Sequence, residues 1–257
     1  CMPAVEPYIE NNSRLEFSLN DKNNNKTISP SFDFKHGIYI KNLTYKFPYT
    51  EKNIIKNLNL NIEKGDCIGV FGKSGAGKTT FINLLLGLLS ADNGSIIVDK
   101  KNINTNLRNW QNIISYIPQN VFITDEKIIN NIALGQEDDE INLKKINECL
   151  KIANINDFIN SLSQGVNTNC GELGDRFSGG QKQRIGIARA FYIDAEILIF
   201  DEFTNFLDSN NEQKIMREIS EMENKTRIVV SHNKNILKFC KKIFELKDKS
   251  LDKKLSI

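Results

Sequence analysis

Residues 67–79 read Cys67-Ile68-Gly69-Val70-Phe71-Gly72-Lys73-Ser74-Gly75-Ala76-Gly77-Lys78-Thr79. The first five are a compact apolar run, the pattern of a buried strand. The next eight match GxxxxGK[ST] in full. An apolar helical run follows over 78–89. Strand, glycine-rich loop and helix in that order make a phosphate cradle. The glycines let the backbone wrap until several N–H groups face phosphate oxygens. The helix start adds its positive end. Lys78 is placed to reach the β and γ phosphates, and Thr79 offers a hydroxyl to Mg²⁺. Gly72, Lys73, Ser74, Gly75, Ala76, Gly77, Lys78, Thr79 and the adjoining Thr80 are the triphosphate-binding candidates.

Outward from this unit, strand spacing marks 38–47, 57–62, 95–99, 113–117, 196–200, 227–230 and 242–246. Helical spacing marks 128–134, 141–160, 181–191, 211–222 and 234–239. The two barest apolar strands, 67–71 and 197–200, suit a parallel sheet covered on both faces. The expected fold is therefore α/β, a P-loop core with a mostly parallel sheet. The segment 120–190 is mostly helix and loop and reads as an inserted helical subdomain. Residues 1–36 read as an extension and linker, 37–250 as the folded domain, and 251–257 as a Lys-rich tail.

The chain has 257 residues, with 34 Lys+Arg against 32 Asp+Glu, a net charge of +2. A hydrophobic fraction of 40% and a charged fraction of 26% are those of a globular protein. Near-neutral charge argues against nucleic acid as a partner. The five cysteines are scattered and include no CxxC pair, so reduced thiols are expected rather than a zinc site or disulfide framework. No run of 18 apolar residues marks a membrane span.

Two further patterns carry chemistry. Ile197-Leu198-Ile199-Phe200 runs into Asp201-Glu202, which puts two carboxylates at the carboxyl edge of the sheet, where open α/β folds bind ligands. Asp201 is expected to hold Mg²⁺ and Glu202 to act as general base or water-orienting residue. Residues 177–184 read Phe-Ser-Gly-Gly-Gln-Lys-Gln-Arg. Ser178, Gly179, Gly180 and Gln181 open a helix and form a second anion nest. One nucleotide needs only one nest. A head-to-tail pair of chains, each lending its nest to the other's nucleotide, resolves this and gives two equal composite sites.

At this point the chain resembles the nucleotide-binding domain of the ATP-binding cassette (ABC) family. Ser178-Gly-Gly-Gln181 matches the family signature, with Phe177 where Leu is usual, and the resemblance covers about 37–248. It implies an N-terminal antiparallel β subdomain beside the P-loop core. It implies that Gln119, after Ile117-Pro118, is the glutamine linking Mg²⁺ and the attacking water to a membrane partner. His232, in Val230-Ser231-His232, looks like the switch histidine at the γ-phosphate. Asp208, in Asn205-Phe206-Leu207-Asp208, looks like the aspartate that communicates across the dimer. Phe47 is the candidate to stack on adenine, with Tyr45 and Tyr49 its rivals should the register slip by two.

Within the family the exporter type is favoured. The stretch from Gln119 to Ser178 holds no long coiled-coil insertion. Residues Cys170–Gly174 resemble the exporter X-loop, with Leu173 where Arg is common. Phe122 and 128–132 resemble the stretch that meets the membrane domain, although Phe122 equally suits the subdomain core. The resemblance then implies an ATP hydrolase with ATP and Mg²⁺ as ligands. It also implies two partners: a second copy of the domain, and a membrane domain in the same polypeptide, of which 1–36 would be the tail. The place of action would be the cytoplasmic face of a membrane. A stand-alone transporter ATPase subunit and a soluble family ATPase are the alternatives. A module that hydrolyses nothing would be expected to lack Glu202 or Ser178, and both are present.

Overall fold

The structure of the protein, a computed structural model, describes residues 34–254. Two sheets organise them. Strands β1 (Gly37–Lys46), β2 (Asn53–Glu63), β4 (Asn93–Val98) and β5 (Lys101–Asn102) form an antiparallel sheet in the order β2-β1-β4-β5. Strands β3 (Cys67–Phe71), β6 (Ile114–Ile117), β7 (Ile197–Asp201), β8 (Thr226–Val230), β9 (Lys242–Lys247) and β10 (Ser250–Lys254) form the second sheet, ordered β10-β9-β3-β8-β7-β6. Every pair in it is parallel except β9–β10. The P-loop strand therefore lies in the middle of the sheet, as the bare apolar run at 67–71 required.

The period of two along a strand explains how one sheet serves two cores. Ile197 and Ile199 of β7 face a core shared with the antiparallel sheet, the helix Lys78–Leu85 and Trp110. Leu198 and Phe200 face the opposite core, shared with the helices Leu143–Ile152 and Gly179–Tyr192. All five β7 residues are buried. The hydrophobic fraction read from composition is thus spent on both faces of one sheet.

The inserted helical subdomain holds the helices Ile128–Ile132, Leu143–Ile152, Asn156–Ser161 and Gly179–Tyr192. The helical pattern over 141–160 is broken in two at Asn154, whose φ is 50°. The helix expected over 78–89 stops at Leu85, because Gly87 at φ 71° turns the chain away. The helix Leu107–Asn112 was not legible in sequence. Its one buried residue, Trp110, sits among polar neighbours, and its indole N–H reaches Leu85 O from 2.8 Å.

Both ends of the folded unit extend further than the sequence reading. Phe34 is 1% exposed and packs into the core beneath the antiparallel sheet, so the ordered chain begins before Gly37. The expected tail supplies β10, which adds an antiparallel edge to β9. The reading of 1–36 as an extension falls, up to residue 33, outside the described residues. No helix among the described residues is long and apolar enough to cross a membrane.

Candidate functional site

The carboxyl edge of the parallel sheet gathers the site. A cleft of about 410 Å³ is lined by Phe47, Ile54, Ser74, Gly75, Gly77, Lys78, Thr79, Thr80, Gln119 and Glu202. These come from just past β1, the start of β2, the P-loop and its helix, the loop after β6 and the residue after β7. Gly72, Lys73 and Ala76 complete the loop behind the lining. Gly72 is obligatory there, since a Cβ would lie 2.8 Å from Leu246 O. Gly77 has φ 98°, and a Cβ on it would press on Ile54 at 3.0 Å.

Lys78 is 7% exposed and is held inside its own loop. Its Nζ donates to Gly72 O at 3.0 Å and Lys73 O at 3.3 Å, and lies 3.2 Å from Glu202 Oε1. The other oxygen of Glu202 lies 3.3 Å from His232 Nδ1 and 3.5 Å from Asn205 Nδ2. Glu202 thus joins the P-loop lysine to His232, two residues past β8. Burial pushes its carboxyl up, but the Lys78 hydrogen bond and charge, with Asn205 and His232, hold it below the usual carboxylate range. Its φ of 44° is a left-handed conformation that few non-glycine residues adopt. The amide is fixed by donating to Val230 O at 2.9 Å.

Asp201 is the deeper carboxylate, 5% exposed. Burial raises its pKa, Tyr116 opposes this by hydrogen bonding, Glu202 adds to it and Lys78 opposes it, with a net rise. The Tyr116 hydroxyl donates to Asp201 Oδ2 at 3.2 Å. Sequence reading missed Tyr116. It reaches Asp201 only because β6 pairs with β7, strands far apart in the chain.

The three aromatics near the cleft mouth differ in placement. Phe47 lines the cleft and is 43% exposed, Tyr45 is buried in the strand core, and Tyr49 is 99% exposed. The Tyr45 ring meets Phe47 edge-on at 5.3 Å and supports it from beneath. Phe122, for which core and surface were equally open, is 62% exposed.

The second nest does not line this cleft. Ser178 caps the helix Gly179–Tyr192 through a full capping box. Its Oγ accepts the Gln181 N–H at 3.3 Å, and its own N–H donates to Gln181 Oε1 at 2.8 Å. The serine proton is left to donate outward, and the first-turn Gly179 and Gly180 N–H groups have no intrahelical acceptor. The Gln181 side chain is spent on the cap. Phe206 packs over the glycines: a Cβ on Gly179 would meet its ring at 3.0 Å, and one on Gly180 would meet Phe206 O at 2.7 Å. Phe177, the departure from Leu, sits edge-on to Phe158 at 6.0 Å in the helical subdomain. Asp208 caps its own helix, accepting the Asn210 and Asn211 N–H groups at 3.1 and 3.0 Å. Gln183, 1% exposed, donates to Pro118 O at 3.3 Å and ties the helix Gly179–Tyr192 to the Gln119 loop.

A parallel sheet carrying a P-loop lysine and a buried strand-end carboxylate defines a P-loop nucleotide-binding domain. A family model described as ABC transporter matches residues 55–205. The chain belongs to the ABC transporter family. It is 36% identical over 225 residues to a probable ABC transporter ATP-binding/permease protein of Haemophilus influenzae, covering 87% of this chain and 40% of that one. It is 39% identical over 204 residues to the ATP-dependent lipid A-core flippase of Wigglesworthia glossinidia brevipalpis, covering 78% and 35%. A bacterial Atm1-family ABC exporter solved with ATP bound superposes with a TM-score of 0.81 at 27% identity, over 94% of this chain and 43% of that one. The chain therefore spans less than half the length of these relatives.

Proposed function

We propose that this chain powers export or flipping of a cargo across a membrane by hydrolysing ATP in a head-to-tail pair. The observation that carries the reading is the separation of the two nests. Phe47, the P-loop, Gln119 and Glu202 surround one cleft, whereas Ser178, Gly179 and Gly180 offer outward donors elsewhere. A second copy brings its nest to this cleft and completes the triphosphate site.

The roles follow from position. Phe47 stacks on the adenine. The P-loop amides and Lys78 hold the β and γ phosphates, and Ser178 with the glycine amides of the second copy closes on the γ phosphate. Glu202 accepts the proton of the attacking water, and His232 contacts the γ phosphate. A triphosphate on the loop competes with Glu202 for Lys78, which frees the base as substrate arrives. The Thr79 hydroxyl, the buried Asp201 carboxylate and the Gln119 side-chain oxygen are hard oxygen donors. They suit Mg²⁺, which is bound by one or two carboxylates together with substrate phosphates. Bound there, Mg²⁺ would neutralise charge on the phosphates. The Gln119 loop, exposed Phe122 and the helix Ile128–Ile132 face a membrane domain at the cytoplasmic side of the bilayer. That domain is expected in the same polypeptide. The relatives include lipid A-core flippases and an α-hemolysin translocation protein, so similarity at this level selects no cargo.

The test is Glu202→Gln in the presence of ATP and Mg²⁺. Hydrolysis is expected to fall by about 10²–10⁴-fold, with nucleotide still bound and a dimer retained on sizing. Comparable rates in variant and wild type would remove Glu202 as the base. Full hydrolysis by a strictly monomeric chain would remove the composite site.

A further inference from the structure

Away from the nucleotide cleft the chain buries a second group of reactive atoms. Cys67 opens β3, and Cys240 lies just before β9, its neighbour in the sheet. Their Sγ atoms are 3.7 Å apart, and the residues are 1% and 6% exposed. The backbone already holds them at strand spacing. Lys241 N–H donates to Cys67 O at 2.9 Å, and Ile68 is in register with Lys242. Gly69 leaves the room for this, since a Cβ there would lie 3.4 Å from Cys240 Sγ.

Arg227 supplies an independent observation. It is 0% exposed, and its guanidinium donates to Met222 O and to Gly65 O, the latter at 3.1 Å. Its Nε has no hydrogen-bond partner. Both acceptors are neutral carbonyls. A buried cation answered only by neutral groups favours ionisation of an acid beside it, and Cys67 is such an acid. The Cys240 hydrogen bond holds the Cys67 thiol down at about 7, against the opposing effect of burial, with Arg227 and Lys241 contributing. Cys149 and Cys170 show the ordinary behaviour, each pushed up by burial to about 11.

We propose that Cys67 and Cys240 form a redox-active dithiol that a hydroperoxide converts to a disulfide tying β3 to β9. The Cys67 thiolate attacks a peroxide oxygen. The O–O bond breaks, an alcohol or water leaves with a proton, and the sulfur becomes a sulfenic acid. The Cys240 sulfur then attacks the Cys67 sulfur. The S–S bond forms, the S–O bond breaks, and hydroxide leaves as water with the Cys240 proton. Two thiols and one hydroperoxide give one disulfide, one alcohol or water, and one further water. The sulfurs close from 3.7 Å to about 2.05 Å, within reach of side-chain rotation on adjoining strand ends. Cys240 follows a helix of only four residues, Lys234–Leu237, and local opening there admits a molecule as small as hydrogen peroxide. Cys67 stands at the end of β3 opposite the phosphate loop, so the bond staples the sheet without touching the cleft. It joins positions 173 apart, a span over which a crosslink restricts the unfolded chain strongly.

The test treats the folded chain with a small excess of hydrogen peroxide and maps its cysteines by mass spectrometry. The expected product is one disulfide joining the Cys67 and Cys240 peptides. It should form at least about tenfold faster than oxidation at Cys149 or Cys170. The thermal midpoint should rise by several degrees and return with dithiothreitol. Cys240→Ser, or Cys240→Ala if the serine is not tolerated, should stop at a Cys67 sulfenic acid that dimedone traps. The wild-type map decides without either variant. Intact Cys67 and Cys240 thiols while Cys149 or Cys170 react would overturn the proposal, as would a crosslink that forms only in denaturant.

Discussion

Tyr116→Phe tests whether the site is held together by a contact between distant strands. The change deletes one hydroxyl and keeps the ring. That hydroxyl donates to Asp201 Oδ2 at 3.2 Å, and Asp201 is 5% exposed. A hydrogen bond to a charged group contributes about 1.5–3 kcal/mol, and 3.2 Å is long, so the low end, about 1.5 kcal/mol, is the expected loss. For a domain of this size that is a fall in thermal midpoint of about 3–6 °C. Burial, then the Asp201 charge and hydrogen bond, push the Tyr116 hydroxyl above its ordinary pKa, so it stays a donor across the neutral range. The pH dependence has a definite sign. The Asp201 carboxyl lies above its usual range in the fold, and losing a donor to the carboxylate raises it further. The variant's penalty is therefore present while Asp201 is ionised and shrinks as pH falls through its folded pKa. Denaturant titrations of both proteins from neutral to acidic pH would measure this. A penalty under about 0.5 kcal/mol, below the range for a bond to a charged group, or one that does not change with pH, would refute the assignment.

Phe47→Ala is expected to weaken ATP binding by about tenfold or more, the equivalent of one lost stacking contact, while Tyr49→Ala at 99% exposure leaves it unchanged in a fluorescent-nucleotide titration. Gly180→Ala puts a Cβ 2.7 Å from Phe206 O; steady-state hydrolysis should fall by about 10²-fold, with nucleotide binding to the single copy retained. Equal loss of both would place the nest in the same chain's own site. Gln181→Ala removes half of the capping box and should cost about 1 kcal/mol by chemical denaturation, and unchanged stability would count against the cap.

Much of the site was legible because its motifs are local. The P-loop, the Asp201-Glu202 pair and the Ser178 nest each need a strand end or a helix start within a few residues, and composition and spacing mark those. The same locality explains the misses. The helix Leu107–Asn112 carries one buried side chain, so it shows no periodic face. The strand Ser250–Lys254 is made by pairing with β9 rather than by an apolar pattern of its own. Tyr116 and Gln183 act through partners across the sheet and across the subdomain boundary. Phe47 was preferred in sequence over Tyr45 and Tyr49, but their different burial follows from where β1 ends, at Lys46, which local pattern does not mark.

The chain's residue order alone determined a glycine-rich loop over 72–79 between strand and helix and a carboxylate pair at a strand end, because backbone wrapping, helix starts and strand ends are set by neighbours in sequence. Only the tertiary structure decided what each group touches. Glu202 meets both Lys78 and His232 because β3, β7 and β8 lie side by side. The serine nest stands apart from the cleft because the helical subdomain carries it away. Cys67 and Cys240 share one buried corner with Arg227 for the same reason: parallel pairing brings together positions that no local pattern connects.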